Sequence, residues 1–99
     1  MNIIYTRQAQ QQLKSIKSFI EQDNPQAAKT HLIKIKSKIE LLASFPYLGQ
    51  INPILNKSDI RDWILLGYKV IYKISKNQIT ILAIYKHIDF DESSVNEET

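Results

Sequence analysis

The chain has 99 residues, of which 43% are hydrophobic and 23% charged, a size and composition typical of one globular domain. It contains no cysteine, which excludes disulfides, thiolate nucleophiles and cysteine-ligated metals and favours a reducing compartment for so short a chain. No apolar run approaches the ~20 residues of a membrane-spanning helix, and the N-terminus does not resemble a secretory signal. We therefore expect a cytoplasmic protein.

Charge is distributed unevenly along the chain. All 13 Lys and Arg residues lie at or before Lys86, whereas the 10 acidic residues divide into five before that point and five after it. The body of the chain therefore carries 13 − 5 = +8, and the C-terminal residues carry −5. A basic body favours an anionic partner such as a nucleic acid or an acidic protein segment, although a net charge of this size also serves solubility.

The first half of the chain predicts a short strand followed by two helices. Asn2–Tyr5 is rich in β-branched and aromatic side chains, and Thr6 is a suitable N-cap for a helix over about Arg7–Gln22. Asn24-Pro25 breaks that helix and starts a second one over about Pro25–Ser44. Each helix has one apolar stripe, which predicts an antiparallel helical hairpin. The stripes are Ala9, Leu13, Ile16 and Ile20, then Ala28, Leu32, Ile35, Ile39 and Leu42.

The second half predicts three strands after an irregular stretch that runs to about Asp59. The strands cover Ile60–Leu66, Tyr68–Ile74 and Gln78–Tyr85, and the last is apolar on both faces, which indicates a central strand. Short turns make the three strands antiparallel neighbours, and the helices must bury their stripes on the sheet. The predicted fold class is α+β, a βααβββ order with a helical hairpin packed on one face of a small antiparallel sheet.

The acidic C-terminus is predicted to lie apart from this domain. We expect residues 1–88 to form a single domain and residues 89–99 to form an acidic, flexible tail, because the tail lacks apolar periodicity. Its simplest role is to increase solubility. A more specific hypothesis is that it folds over the basic face of the domain and competes with a partner.

The residue types that most metal and cofactor sites require are missing. The two histidines, His31 and His87, lie on different predicted elements and have no metal-ligand spacing. The two glycines form no phosphate-binding loop, and no serine has the flanking glycines of a hydrolase nucleophile. We therefore expect no metal and no cofactor.

Basic and aromatic side chains collect on the predicted strands. Lys69 and Lys73 share one face of the middle strand, opposite Tyr68 and Tyr72. Cations bind phosphates and rings stack on bases, so this surface suits a nucleic acid, although the tyrosines could equally belong to the core and the lysines to a solvated face. The candidate target-binding or nucleic-acid-binding residues are Arg61, Lys69, Lys73, Lys86 and His87. We expect the side of the sheet that the helices leave uncovered to present Arg61, Lys69 and Lys73 to a larger target.

The ordered set of these features resembles the RelE/ParE superfamily of toxins from type II toxin–antitoxin pairs. The second helix begins with Asn24-Pro25 and Ala27-Ala28, and Phe45-Pro46-Tyr47-Leu48-Gly49 follows it. These two motifs are closer to the ParE branch than to the RelE branch. The resemblance implies the βααβββ toxin fold from Ile3 to about His87 and a cognate antitoxin that lays a helix or strand across its surface. It also implies that the toxin acts by binding DNA gyrase.

Two alternatives to this function stay open. RelE-like relatives are ribosome-dependent endoribonucleases that cut mRNA, and this resemblance implies Arg61, Tyr85 and His87 as the catalytic residues, with His87 or Tyr85 exchanging protons. However, no Lys or Arg follows Lys86, so one basic member of such a set is missing, which favours a ParE-like inhibitor that is not an enzyme. The other alternative is an inactive or adaptor-type module of the same fold that binds nucleic acid or protein.

Overall fold

Two helices packed on a five-stranded sheet make up residues 1–86, the part of the chain that the computed structural model describes. The elements are β1 (Asn2–Tyr5), α1 (Arg7–Glu21), α2 (Pro25–Ser44), β2 (Gln50–Ile51), β3 (Ile60–Leu65), β4 (Tyr68–Ile74) and β5 (Gln78–Lys86). The strand order across the sheet is β1-β5-β4-β3-β2. The predicted α+β fold is confirmed, and β5 is a central strand as expected. His87 and the predicted tail lie outside the described residues, so the domain boundary at residue 88 stays a prediction.

The sheet differs from the prediction in two respects. β1 pairs with β5 in parallel, whereas the other strand pairs are antiparallel, so the sheet is mixed. Parallel pairing needs a long connection between the two strands, and the helical hairpin together with β2–β4 provides one. The second difference is β2, which pairs two residues with β3 inside the stretch predicted to be irregular. A two-residue strand is too short to show periodicity in a sequence.

Both helices begin where the sequence predicts, because a polar side chain caps each one. The Thr6 hydroxyl accepts a hydrogen bond from the Ala9 amide at 3.0 Å and donates one to the Leu82 carbonyl at 3.1 Å. The Asn24 side chain accepts from the Ala27 amide at 3.0 Å, and Pro25 occupies the first helical position. Thr6 therefore both starts α1 and joins it to β5.

The core lies between the helical hairpin and one face of the sheet. Its helical members belong to the stripes that the sequence predicts, which confirms their orientation. Its sheet members point to the same side from three neighbouring strands. The buried cluster comprises Ala9, Leu13, Ile35, Ile39, Leu42, Leu65, Val70, Tyr72, Ile79, Ile81 and Ile84.

Tyr72 fastens the segment after α2 to the sheet. Its ring is fully buried, its hydroxyl donates a hydrogen bond to the Pro46 carbonyl at 2.6 Å, and the same oxygen accepts one from the Gly49 amide at 2.9 Å. A Cβ atom at Gly49 would lie 2.6 Å from the Asp62 carbonyl oxygen and 2.9 Å from the Tyr72 hydroxyl. The chain therefore requires glycine here because the backbone passes directly over the tyrosine.

Replacing Tyr72 by Phe is expected to lower the free energy of unfolding by about 1–3 kcal/mol, because the Pro46 carbonyl and the Gly49 amide lose their partner. Urea denaturation measures the change. Tyr47→Phe is the matched control, since the Tyr47 side chain is 67% exposed, and it should leave stability nearly unchanged. Equal stability of Tyr72→Phe and the wild type would contradict this role.

The turn between β3 and β4 holds a leucine in an unfavourable conformation. Only Leu66 and Gly67 separate the two strands, and their φ angles are 50° and 83°. Two positive φ angles are typical of the type I′ hairpin turn, which prefers Asn-Gly. A leucine in the left-handed region costs ~1–2 kcal/mol.

Leu66→Asn is therefore expected to raise the free energy of unfolding by up to about 1 kcal/mol, because asparagine tolerates the left-handed region. Gly67→Ala should lower it by about 1 kcal/mol through backbone strain alone, since an added Cβ meets no atom within 4 Å. Chemical denaturation of the two variants measures whether the free energy of unfolding rises in the first and falls in the second. A Leu66→Asn variant that is no more stable than the wild type would contradict the turn assignment.

Candidate functional site

The side of the sheet that faces away from the helices, here called the open face, mixes lysines with exposed apolar side chains. Cross-strand partners point to the same side of a sheet. Ile64 and Tyr85 are 44% and 42% exposed, and apolar groups ringed by polar ones mark interaction surfaces. The register gives three rows across β3, β4 and β5: Ile64–Lys69–Tyr85, Asp62–Ile71–Ala83 and Ile60–Lys73–Thr80.

Lys69 is held in place by a buried carboxylate. The Lys69 Nζ atom lies 3.9 Å from Asp62 Oδ2, and the Asp62 side chain is only 5% exposed. Asn52 donates a hydrogen bond from Nδ2 to Asp62 Oδ1 at 2.7 Å. The Asn52 side-chain oxygen also accepts from the amides of Ile54 and Leu55. Asp62 thus connects the loop after β2 to the open face and orients the lysine between Ile64 and Tyr85.

Lys73 lies on the open face with Lys69, as the alternation in β4 predicts. Its cross-strand partners are Ile60 and Thr80, and its side chain is exposed. Its ammonium group is therefore accessible to a binding partner. Lys73 presents positive charge more freely than Lys69, whose charge Asp62 partly neutralises.

Arg61 does not share the open face with the lysines, which corrects the expectation that one uncovered side presents all three. It pairs with Tyr72, whose ring points into the core, so Arg61 points to the helical side. Its Nη1 donates to the Gly49 carbonyl at 2.9 Å, and its Nε donates to the Ser58 carbonyl at 3.2 Å. Its guanidinium carbon lies 4.8 Å from the centre of the Tyr47 ring. Arg61 therefore connects the segment before β2, at Gly49, to the segment after it, at Ser58.

The residues predicted for a nuclease site do not converge in the described part of the chain. Tyr85 pairs with Lys69 on the open face, opposite the side to which Arg61 points. Lys86 pairs with Tyr68 and therefore points to the helical side at the end of the sheet. His87 lies outside the described residues, so its role stays a prediction.

His31 and Tyr68 form a polar contact between α2 and β4. The His31 Nε2 and Tyr68 hydroxyl atoms are 3.1 Å apart, and the two ring centres are 5.5 Å apart. Burial raises the pKa of the Tyr68 phenol. This contact docks the N-terminal half of α2 on the sheet, and His31 lies at the boundary between the apolar stripe of that helix and its polar side.

A groove of about 960 Å³ between the two helices and β1 is a second candidate surface, which sequence reasoning missed. Leu13, Leu32 and Ile33 are among the apolar side chains that line it. The Lys36 Nζ atom lies 5.8 Å from the centre of the Tyr5 ring. One sequence feature could have indicated this groove, because basic residues flank the apolar stripe of each helix. Their meeting around one groove depends on how the helices pack. The cations that line it are Arg7, Lys14, Lys17, Lys29 and Lys36.

The free energy of unfolding should decrease in alkaline solution because the pKa of Tyr5, which lines this groove, is raised in the folded chain. Burial, and secondarily the charge of Glu40, raises the pKa of Tyr5 to about 12, whereas an unfolded chain ionises tyrosine near pH 10. Between these values the unfolded chain releases a proton that the folded chain retains, so the free energy of unfolding falls as pH rises. Urea denaturation at pH 8 and pH 11 should show a smaller loss in Tyr5→Phe than in the wild type, and an equal loss would contradict the assignment.

Residues 1–86 contain no group of three or more His, Asp or Glu side chains placed to bind a metal ion. In the same part of the chain, neither helix combines the length and apolar character needed to cross a membrane.

The fold is one that a toxin–antitoxin structure also contains. A chain of the solved structure described as "Chromosomal ParDE TA system from P. aeruginosa" superposes with a TM-score of 0.73 at 18% identity, over 88% of this chain and 96% of that chain. Residues 3–89 match the family described as the ParE toxin of type II toxin-antitoxin system, parDE. The chain belongs to this ParE toxin family, and the predicted closeness to the ParE branch is confirmed. A comparison with curated proteins gave no match.

Membership of this family defines the general role and one partner. The protein is a toxin of a type II toxin–antitoxin system, and such a system implies a cognate antitoxin. The surfaces described above are therefore candidates for contact with a target or an antitoxin.

Proposed function

We propose that this toxin acts in the cytoplasm by binding DNA gyrase, and that the open face is the surface that contacts gyrase. Membership of the ParE toxin family supports an inhibitor that binds a macromolecule, rather than an enzyme that converts a small molecule. The observation that carries the choice of surface is the row Ile64–Lys69–Tyr85, where a cation lies between two partly exposed apolar side chains.

The open face suits a protein target because its groups are held in place before binding. Asp62 restrains Lys69, and the sheet restrains Ile64 and Tyr85, so little conformational entropy is lost when a partner binds. Lys73 adds an exposed positive charge two rows away. A negatively charged target is steered to such a surface by its potential.

The ribosome-dependent nuclease has less support. Proton transfer and phosphate binding require side chains within hydrogen-bond reach of one reacting group. Arg61 and Tyr85 point to opposite sides of the sheet, and two donor atoms of Arg61 already bind backbone carbonyls. A non-enzymatic inhibitor needs no such convergence.

Inhibition of DNA supercoiling by purified gyrase tests the proposal. Wild-type toxin should inhibit supercoiling. The open-face variants Lys73→Glu and Tyr85→Ala should each need a roughly tenfold higher concentration for the same inhibition, because a contact residue contributes on the order of 1–2 kcal/mol to the binding free energy. Lys38→Glu is the matched control, since this exposed lysine lies on α2, and it should inhibit as well as the wild type.

Two outcomes would contradict the proposal. One is a wild-type toxin that leaves supercoiling unaffected while folded and free of antitoxin. The other is an equal loss of inhibition in Lys73→Glu and Lys38→Glu, which would indicate a general charge effect. Cleavage of mRNA in a ribosome-containing translation mixture, abolished by Tyr85→Phe, would favour the nuclease instead.

A further inference from the structure

The turn that follows β2 exposes two apolar side chains to solvent. Ile54 and Leu55 are 89% and 50% exposed, and Ile54 is the most exposed large hydrophobic residue within residues 1–86. Neither side chain belongs to the buried core cluster. Because apolar surface stabilises the fold only where it is removed from water, these two side chains contribute little to folding and are accessible to a partner. We call Pro53, Ile54 and Leu55 the apolar turn.

Hydrogen bonds to Asn52 hold the backbone of the apolar turn. The Asn52 side-chain oxygen accepts from the amide of Ile54 at 3.0 Å and from that of Leu55 at 2.8 Å. The Asn56 amide donates to the Asn52 carbonyl at 2.8 Å, and the φ angle of Asn56 is 50°, a left-handed conformation that asparagine tolerates. Asn52 itself is 5% exposed. Since the backbone is already held, little conformational entropy is lost when a partner binds the turn.

Asp62 joins the apolar turn to the open face. Its Oδ1 atom accepts from Asn52 Nδ2 at 2.7 Å, and its Oδ2 atom lies 3.9 Å from Lys69 Nζ. Asp62 belongs to the open-face row that also contains Ile71 and Ala83, so the turn that Asn52 anchors borders the same side of the sheet. One carboxylate therefore fixes the turn and the lysine relative to each other, and the apolar turn and the open face form one continuous surface.

We propose that the apolar turn is part of the surface that binds DNA gyrase, and that Ile54 enters an apolar pocket of that enzyme. This inference rests on the proposed gyrase activity and extends its contact surface from the open face to the loop between β2 and β3. Gyrase, rather than the antitoxin, is the assigned partner because the turn is continuous with the open face. Side chains that fill a desolvated pocket supply most of the binding free energy of an interface, while Lys69 and Lys73 attract a negatively charged partner.

Ile54→Ala tests this contact, because it removes the apolar side chain and keeps the backbone hydrogen bonds of the turn. In the supercoiling assay this variant should need a roughly tenfold higher concentration than the wild type for the same inhibition. Phe19→Ala is the matched control, since Phe19 is 70% exposed on α1, and it should inhibit as well as the wild type. Urea denaturation should give both variants nearly the wild-type free energy of unfolding, because both side chains are exposed.

Photo-crosslinking identifies the partner of the apolar turn directly. In the variant Ile54→p-benzoylphenylalanine, irradiation should link the toxin covalently to a subunit of purified gyrase. The same replacement at Phe19 should give no link to gyrase. Parallel reactions that contain the cognate antitoxin or the toxin alone show whether another protein occupies the turn.

Two results would overturn this inference and leave the gyrase proposal intact. One is a wild-type toxin that inhibits gyrase and is weakened by Lys73→Glu, while Ile54→Ala inhibits as well as the wild type or no better than Phe19→Ala. The other is a crosslink from position 54 to the antitoxin or to a second toxin chain, with none to gyrase. A wild-type toxin that neither inhibits gyrase nor crosslinks to it overturns both proposals, so the behaviour of the wild type distinguishes the two failures.

Discussion

Burial of the helical hairpin on a single face of the sheet is the constraint on which the other features depend. α1 and α2 each have one apolar stripe, and both stripes close over the side of the sheet that holds Val70, Tyr72 and Ile81. Apolar burial of this kind supplies most of the free energy of folding in a small domain. Because the hairpin covers one side, the other side keeps Lys69, Ile71 and Tyr85 available. The same packing brings the basic flanks of the two helices together around a groove.

Local sequence signals predicted most of the fold. Helix boundaries followed from Thr6 and Asn24-Pro25, where a side chain satisfies backbone amides that the helix leaves unpaired. The alternation along β4 predicted that Lys69 and Lys73 share a face, because side chains alternate along any extended strand. The apolar composition of β5 predicted a central strand. These predictions succeeded because each depends on neighbours in sequence.

Predictions that depend on distant contacts were less successful. The side to which Arg61 points depends on its register with Tyr72 and on the path of the backbone at Gly49, and neither is encoded within β3 itself. The parallel pairing of β1 depends on the long connection to β5. The groove depends on the relative placement of α1 and α2, so the periodicity of either helix alone does not reveal it. The sequence therefore predicted that Lys69 and Lys73 share a face, but it did not predict the side on which Arg61 lies.

This one-sided arrangement separates the two candidate surfaces. The open face mixes apolar and cationic groups, which suits a large protein target, whereas basic side chains of both helices line the groove. The most direct test of the central claim is an electron cryomicroscopy structure of the toxin bound to gyrase. The account predicts that Ile64, Lys69 and Tyr85 contact gyrase while the helices face solvent. A complex in which gyrase packs on α1 and α2 and leaves these three side chains exposed would contradict it.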